Sequence, residues 1–447
     1  MKLTDYCIIV PIKDAQDRHI LINTLNGNMH VMDRLEAECI ETWGKNTDII
    51  PNNIFEKQLY SQLLETNYLF NNEIEESEAI KSTLELCKKQ HRLKNQSITD
   101  AVFVLTYQCN FACPYCYETD ASNLAKSIMT KSMIDQIFSL HQNHLEKITF
   151  YGGEPFLLPN REIIKYIISK APQAIFSATT NGYFLEEYFD VLQQLKISYI
   201  MVTLDGPQEI HNQTRILKNG KGTFEKIERG IRLYLEHAIP IKIRMNISNT
   251  NLDACLELRK EYINTFPQQY NSGLLFFELQ PVFQLPIEER KNIEQAIYFA
   301  EEKGGNIIPL RSKNNTMVRS MSYPLRVFVQ NMENKFRPKY TYCDAESSRR
   351  FYDADGNIYS CILALGNPQA AIGSYYPEVM IKSNSMLDRN IESIEVCSQC
   401  KLRFFCGGGC ANEIIDSEGN TKRPNCAAIK RDIFVELPQL FRKYVRE

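Results

Sequence analysis

Residues 109–116 read Cys109-Asn110-Phe111-Ala112-Cys113-Pro114-Tyr115-Cys116, three thiols on one short loop with Cys-x3-Cys-x2-Cys spacing. Immediately before them, Asp100–Tyr107 is an apolar, β-favouring run. The loop therefore follows a predicted strand. Working outward, that strand is the first of a series: Asp100–Tyr107, Lys147–Tyr151, Ala174–Thr180, Ser198–Leu204, Pro240–Ile247 and Leu274–Val282. Helical patterns such as Lys131–Leu145 and Gly222–His237 separate them. Strand and helix alternating in this way predict an α/β fold with a parallel sheet, open or curled into a partial (β/α)6 TIM-like barrel over residues 96–285. Such folds bind ligands at the carboxyl ends of their strands, where the cysteine loop falls.

Three thiolates on one loop suit an iron–sulfur cluster or zinc. A 4Fe–4S cluster takes four cysteine ligands, so three leave one iron with an open position. Cysteine is unevenly used elsewhere too. Of 14 in the chain, five fall between Cys397 and Cys426. Cys7, Cys39, Cys87 and Cys255 are scattered among apolar residues and read as small buried hydrophobes.

Composition bounds the rest. The chain has 447 residues, 44% hydrophobic and 23% charged, with formal net charge −3. That is an ordinary globular balance, long enough for more than one domain. The charge gives no electrostatic reason to expect nucleic acid. No apolar run approaches the roughly 18 residues that a membrane span needs. The run Cys7–Ile12 is too short for a secretory signal and reads as a strand. A reducing, cytoplasmic compartment is expected, where clustered cysteines bind metal rather than pair.

The flanks read as separate units. In residues 1–95 a hairpin over His19–Met32 turns at Asn26-Gly27, and Asp33 caps a helix to about Trp43. Helical patterns follow near Asn53–Glu65 and Glu75–Gln90. A hairpin with three helices predicts a winged-helix-like module. Residues 286–339 read as a helical bridge. Residues 340–447 are cysteine-rich and turn-rich, with a second hairpin over Tyr352–Tyr359 turning at Asp355-Gly356.

The first cysteine loop, with Tyr115 before its last thiol, resembles the signature of the radical S-adenosylmethionine (SAM) superfamily. The resemblance implies that Cys109, Cys113 and Cys116 hold a 4Fe–4S cluster whose open iron chelates SAM. SAM is then cleaved to a 5′-deoxyadenosyl radical that abstracts hydrogen from substrate. Tyr151-Gly152-Gly153-Glu154-Pro155 matches the family segment that meets the SAM amino group, through Gly152, Gly153 and Glu154. Glycines there let backbone approach a ligand closely, and a carboxylate receives an ammonium. Thr180, Thr203, Arg215 and Asn246 stand where similar enzymes hold the ribose and carboxylate of SAM. Arg215 has a second reading, as the closure of a surface helix turn. No catalytic acid or base stands out.

The C-terminal series is Cys343, then Gly356-x4-Cys361, Cys397-x2-Cys400-x5-Cys406-x3-Cys410 and Cys426. It is similar to the SPASM extension of the same superfamily, which houses two auxiliary 4Fe–4S clusters. A zinc ribbon imitates Cys397-x2-Cys400 but not the whole series. The resemblance implies that Cys397, Cys400, Cys406 and Cys426 fill an outer cluster, and that Cys343, Cys361 and Cys410 hold an inner one. Many relatives have a further cysteine shortly after the first. Here Asp344–Ser360 contains none, which would leave an inner iron open to a substrate thiolate.

These likenesses imply a maturase for a ribosomally made precursor peptide, installing a thioether between a cysteine sulfur and another residue's carbon. A carbon–carbon or other crosslink, or epimerisation, is the alternative. Anaerobic sulfatase maturation fits less well, because such enzymes fill the inner cluster and place an Asp after the Gly-x4-Cys cysteine, where this chain has Ile362. The first module resembles the element that binds a leader peptide as an added strand. A reduced flavodoxin or ferredoxin is the implied electron donor.

Overall fold

The computed structural model describes residues 1–12, 17–45, 48–95, 98–116, 127–286, 288–290, 292–294, 296–297, 337–343, 349–382 and 386–444. The N-terminal part contains strands β1 (Lys2–Leu3), β2 (Cys7–Pro11), β3 (His19–Asn23) and β4 (Met29–Met32), helices α1 (Arg34–Trp43) and α2 (Ile54–Glu65), strand β5 (Leu69–Phe70) and helix α3 (Glu73–Asn95). β2, β3 and β4 form an antiparallel sheet with β3 in the centre, and β1 pairs with β5. The turn at Asn26-Gly27 forms as predicted, with Gly27 at φ 80°. Asp33 caps α1: its Oδ1 accepts from the Glu36 N–H while Glu36 returns a bond to the Asp33 N–H.

The central part runs β6 (Asp100–Val104), α4 (Lys131–Leu140), β7 (Lys147–Tyr151), α5 (Arg161–Lys170), β8 (Ile175–Thr180), α6 (Leu185–Leu192), β9 (Ile197–Thr203), α7 (Gln208–Thr214), α8 (Phe224–Glu236), β10 (Ile241–Ile247), α9 (Leu252–Thr265), α10 (Pro267–Asn271) and β11 (Leu275–Pro281). Strands β6 to β11 lie side by side in chain order and all are parallel. The predicted α/β class and parallel sheet stand. Alternating burial along β10, with Ile241, Ile243, Met245 and Ile247 inside, shows why the sequence pattern is legible: those residues join one large apolar core with the inner faces of the helices.

Several boundaries differ from the sequence reading, the third helix for instance running Glu73–Asn95 rather than Glu75–Gln90, and two have a visible cause. β6 ends at Val104, not Tyr107, because Thr106 leaves the ladder to accept the Gly153 N–H at 3.0 Å. α4 ends at Leu140, not Leu145, because Gln142 and Asn143 turn with φ 50° and 58°. Cys87 and Cys255 are buried as expected, but Cys7 and Cys39 are only half-buried. Most of the expected helical bridge lies outside the described residues.

The C-terminal part holds β12 (Arg349–Asp353), β13 (Asn357–Tyr359), β14 (Gly373–Ser374), β15 (Met380–Ile381), α11 (Glu395–Ser398), α12 (Arg403–Cys406), α13 (Ala427–Arg431) and α14 (Leu437–Tyr444). β12 and β13 are the predicted hairpin, with Gly356 at φ 87°. Its placement was not legible in the sequence. β12 adds to the open edge of β6 in parallel, from Arg349 opposite Asp100 to Asp353 opposite Val104. Arg349 also pairs with Asp100 at 2.7 Å. The sheet is thereby extended rather than closed. The N-terminal sheet, in turn, buries Ile8, Val10, Ile20 and Ile22 against Leu402, Phe405, Cys406, Ile429 and Ile433 of the cysteine-rich part. No helix among the described residues is long and apolar enough to cross a membrane.

Candidate functional site

The site is built from loops that leave the carboxyl ends of parallel strands. After β6 the chain enters the Cys109–Cys116 loop. Asn110 and Ala112 bond the backbone of Ile216–Lys218, through Lys218 N–H to Asn110 O at 3.0 Å and Ala112 N–H to Ile216 O at 2.9 Å. That short ladder places Arg215, at the end of α7, beside the thiols. The Cys109 sulfur accepts the Phe111 N–H at 3.4 Å and faces the Asn181 amide at 3.7 Å.

After β7, Gly152 and Gly153 carry the loop tightly along this same segment. A Cβ at Gly152 would run into the Thr106 carbonyl, and one at Gly153 into the carbonyls of Tyr107 and Gln108. Gly152 also has φ +126°. In the fold these glycines also let the loop pass close to the chain leading into the cysteine loop. Glu154 is likewise held within the fold. It is 0% exposed, and its carboxylate accepts from Phe156 N–H at 2.8 Å, Thr180 Oγ1 at 2.7 Å and Asn181 N–H at 2.6 Å. Burial pushes its pKa up to about 7 against those bonds. Glu154 and Thr180 tie the ends of β7 and β8 together.

Thr203 ends β9 and is buried, and Asn246 lies near the end of β10. Between them stands Asp205, 2% exposed, which the sequence reading passed over for Thr203. Its carboxylate accepts from the Tyr115 hydroxyl and from the Asn246 N–H at 2.9 Å. Its position directly after a strand, within Thr203-Leu204-Asp205-Gly206-Pro207, was the available signal. Arg215 completes the group. It donates to the Tyr115 hydroxyl at 3.1 Å, lies over the Phe111 ring, and is 8% exposed. The reading of Arg215 as a surface helix closure is therefore wrong. Burial opposes its charge, but Tyr115, Cys113 and Asp205 outweigh it and hold the pKa above the ordinary value. Its Nε has no hydrogen-bond partner among the described residues. A buried cation with a spare donor suits a ligand carboxylate.

Several of the C-terminal thiols are neighbours. Cys397 and Cys406 both feel the charges of Cys400 and Cys426, and burial pushes their pKa values up to about 11 and about 12. Cys410 feels Cys361. Gly407, Gly408 and Gly409 make this possible, with φ of 69°, 93° and 83°. A Cβ on Gly407 would collide with the Thr341 backbone, two residues before Cys343. One on Gly409 would collide with the Asn425 carbonyl, next to Cys426. Arg389, 3% exposed and unremarked in the sequence, ties the same loops by donating to the carbonyls of Arg423 at 2.8 Å and Gly409 at 3.3 Å. Among the described residues no three His, Cys, Asp or Glu side chains converge tightly enough to grip a single ion. A cubane asks for less, because each iron takes its own thiolate and the thiols need only surround a volume. Buried thiols that neighbour one another fit such a group, whose positive charge offsets the cost of ionising them.

Residues 103–260 match the radical SAM superfamily. The chain therefore carries a radical SAM domain. That class implies a 4Fe–4S cluster and SAM. It is 26% identical over 276 residues to a probable GTP 3′,8-cyclase of Archaeoglobus fulgidus, spanning 60% of this chain and 86% of that protein. It is 23% identical over 329 residues to the cysteine-type anaerobic sulfatase-maturating enzyme of Clostridium perfringens, spanning 68% and 85%. Among solved structures, native anSMEcpe with bound AdoMet and Kp18Cys peptide matches with TM-score 0.52 at 17% identity, covering 78% of this chain and 98% of the other. Streptococcus suis SuiB bound to precursor peptide SuiA matches with TM-score 0.52 at 12% identity, covering 96% and 99%. These likenesses concern the fold.

Proposed function

We propose that this radical SAM enzyme modifies a ribosomally made precursor peptide, which it holds through its N-terminal module, and joins a peptide cysteine sulfur to a carbon of another residue. The observation that carries the peptide reading is the free edge of β4. Among the described residues β4 pairs only with β3. The Asn23 N–H bonds Asn28 O at 2.8 Å, and antiparallel alternation from that pair turns the N–H and C=O of Met29 and Val31 outward. Beside this edge runs a groove of about 350 Å³ between β4, α1 and α2, floored by Leu21, Ile40, Leu59 and Leu63 and rimmed by Glu36 and Glu65. An edge with a groove beside it suits strand addition: main-chain bonds give affinity and the groove selects side chains. The winged-helix-like description of this module belongs to the same proposal.

For the cofactors, the proposed ligands are Cys109, Cys113 and Cys116 for the SAM-cleaving cluster, Cys397, Cys400, Cys406 and Cys426 for an outer cluster, and Cys343, Cys361 and Cys410 for an inner one. Arg215 would receive the SAM carboxylate, with Tyr115, Thr203 and Asn246 along the same wall. When bound, the first cluster and SAM supply one-electron chemistry that starts with hydrogen abstraction from substrate. Glu154, Thr180 and Asp205 hold the loops that shape this pocket. The open inner position favours a thioether over other crosslinks. Likeness to sulfatase-maturating enzymes favours a second reading, but Ile362, which follows Cys361 and is 38% exposed, has no acid or base to offer. The remaining partner in the proposal is a small reduced electron carrier of the flavodoxin or ferredoxin type.

The test is co-expression of the full chain with a small cysteine-bearing precursor encoded beside it, followed by mass spectrometry. Loss of two hydrogens per crosslink is the expected result. Val31→Pro removes one outward N–H at an edge that tolerates proline. It should lower peptide binding and crosslinking while SAM cleavage by the reduced protein persists. Undiminished crosslinking in that variant would remove β4 from the proposal.

A further inference from the structure

A buried polar bridge lies between the loop that leaves β6 and the β12–β13 hairpin. Tyr107 stands two residues before Cys109, and Tyr359 stands two before Cys361. The Tyr107 hydroxyl donates to Asp353 Oδ2 at 3.2 Å, and the Tyr359 phenol lies against the same carboxylate. Tyr107 and Asp353 are 1% exposed and Tyr359 0%. Tyr107, Tyr359 and Phe351 share one small apolar cluster, with Cys361 packed against it.

The plain reading of Asp353 is a turn cap for Asp355-Gly356. That role uses Oδ1, which accepts from Asp355 N–H at 3.1 Å and Asn357 N–H at 2.8 Å. Oδ2 receives the Asn357 amide at 3.3 Å and, from 246 positions away in the chain, the Tyr107 phenol. A turn cap at a surface would do its work without burial. Burying a carboxylate is costly unless donors surround it. The buried position gains something else: each phenol is covalently two residues from a different cluster loop.

We propose that Asp353 is a positioning residue that locks the Cys109 loop to the Cys361 loop and so fixes the separation between the SAM-cleaving cluster and the inner auxiliary cluster. This rests on the ligand sets proposed above. The lock has a chemical purpose. A radical formed at one site must meet a group held at the other, and a misplacement of about 1 Å can cost on the order of a hundredfold in rate. Parallel pairing of β12 with β6 sets the coarse distance; the phenol–carboxylate bridge sets the fine one.

The test uses the full chain, reconstituted anaerobically, as parent, Cys361→Ala, Asp353→Asn and the double variant Tyr107→Phe with Tyr359→Phe. Iron content is read first. Cys361→Ala should bind less iron than the parent; equal iron would sink the inner-cluster assignment itself. The second readout is electron-spin relaxation of the reduced SAM-cleaving cluster, which a neighbouring paramagnetic cluster accelerates steeply with proximity. Relaxation should be fast in the parent and slow in Cys361→Ala. It should shift away from the parent value in Asp353→Asn and in the double phenylalanine variant at parental iron content. The double variant removes only two hydroxyls, so it carries the test if Asp353→Asn fails to load iron. Parental relaxation in the double variant would overturn the proposal.

Discussion

At the mouth of the sheet the Arg215 guanidinium and the His211 imidazole answer burial in opposite ways. Arg215 keeps its charge because anionic neighbours sustain it. His211 loses its charge: burial first, then the Arg215 charge, holds its pKa down to about 3. The hydrogen bonds agree. The Asp205 N–H donates to His211 Nδ1 at 3.3 Å, and Nε2 donates to Thr223 Oγ1 at 3.1 Å, whose own proton goes to Arg215 O at 2.5 Å. In the unfolded chain this histidine protonates near pH 6.5, so below that pH the unfolded state binds more protons than the fold. Stability should fall as pH drops from about 6.5 toward 3, by about 1.4 kcal/mol per pH unit from this group. Urea unfolding of parent and His211→Asn at pH 7 and pH 5.5 checks it. The variant should lose much of the difference between the two pH values; an unaltered difference would refute the assignment. His211 could be seen in the sequence as a residue near the pocket, but whether it was charged depended on what surrounds it.

Among elements, the Gly407–Gly409 turn packs closely on the segments that carry Cys343 and Cys426. All three residues are left-handed, and two are pressed on backbone adjoining Cys343 and Cys426. Gly409→Ala combines φ strain with a backbone collision. It should cost about 2 kcal/mol or more and lower iron content, whereas Gly220→Ala, where a Cβ meets open space at a comparable φ of +80°, shares the φ strain without the collision and should cost less and keep parental iron. Equal iron and equal melting temperature in the two variants would dismiss the turn's role. The hairpin β12–β13 teaches the complementary lesson. Its turn was legible at Asp355-Gly356 because local chemistry specifies a turn. Its partner was not, because parallel pairing with β6 links residues hundreds of positions apart, and no local pattern records it.

For the whole molecule, the N-terminal module is not a detachable appendage. One face of β3 contributes Ile20 and Ile22 to the cluster that covers Cys406, while Leu21 on the other face floors the groove. Thr24 also bonds the Lys401 carbonyl beside Cys400. Removing residues 1–96 should therefore strip the cover from Leu402, Phe405 and Ile433, lowering solubility and auxiliary-cluster iron. A truncated chain that keeps full iron content would show that the contact is dispensable. Truncating the module is thus a poor probe of peptide binding, and the single substitution in β4 is the better one.

By itself the sequence determined the strand series, the hairpins, the helix cap at Asp33 and the cysteine spacings, because each is written in neighbouring residues as a period, a turn or a cap. It also marked the loops that hold the site, since these follow strands in the chain. Only the tertiary structure decided that Glu154 is buried against Thr180 and Asn181, that Arg215 and Asp205 share a buried cluster, and that Asp353 meets Tyr107 from across the chain. Those outcomes depend on which surfaces lose water together, and burial is a property of the packed molecule rather than of any segment.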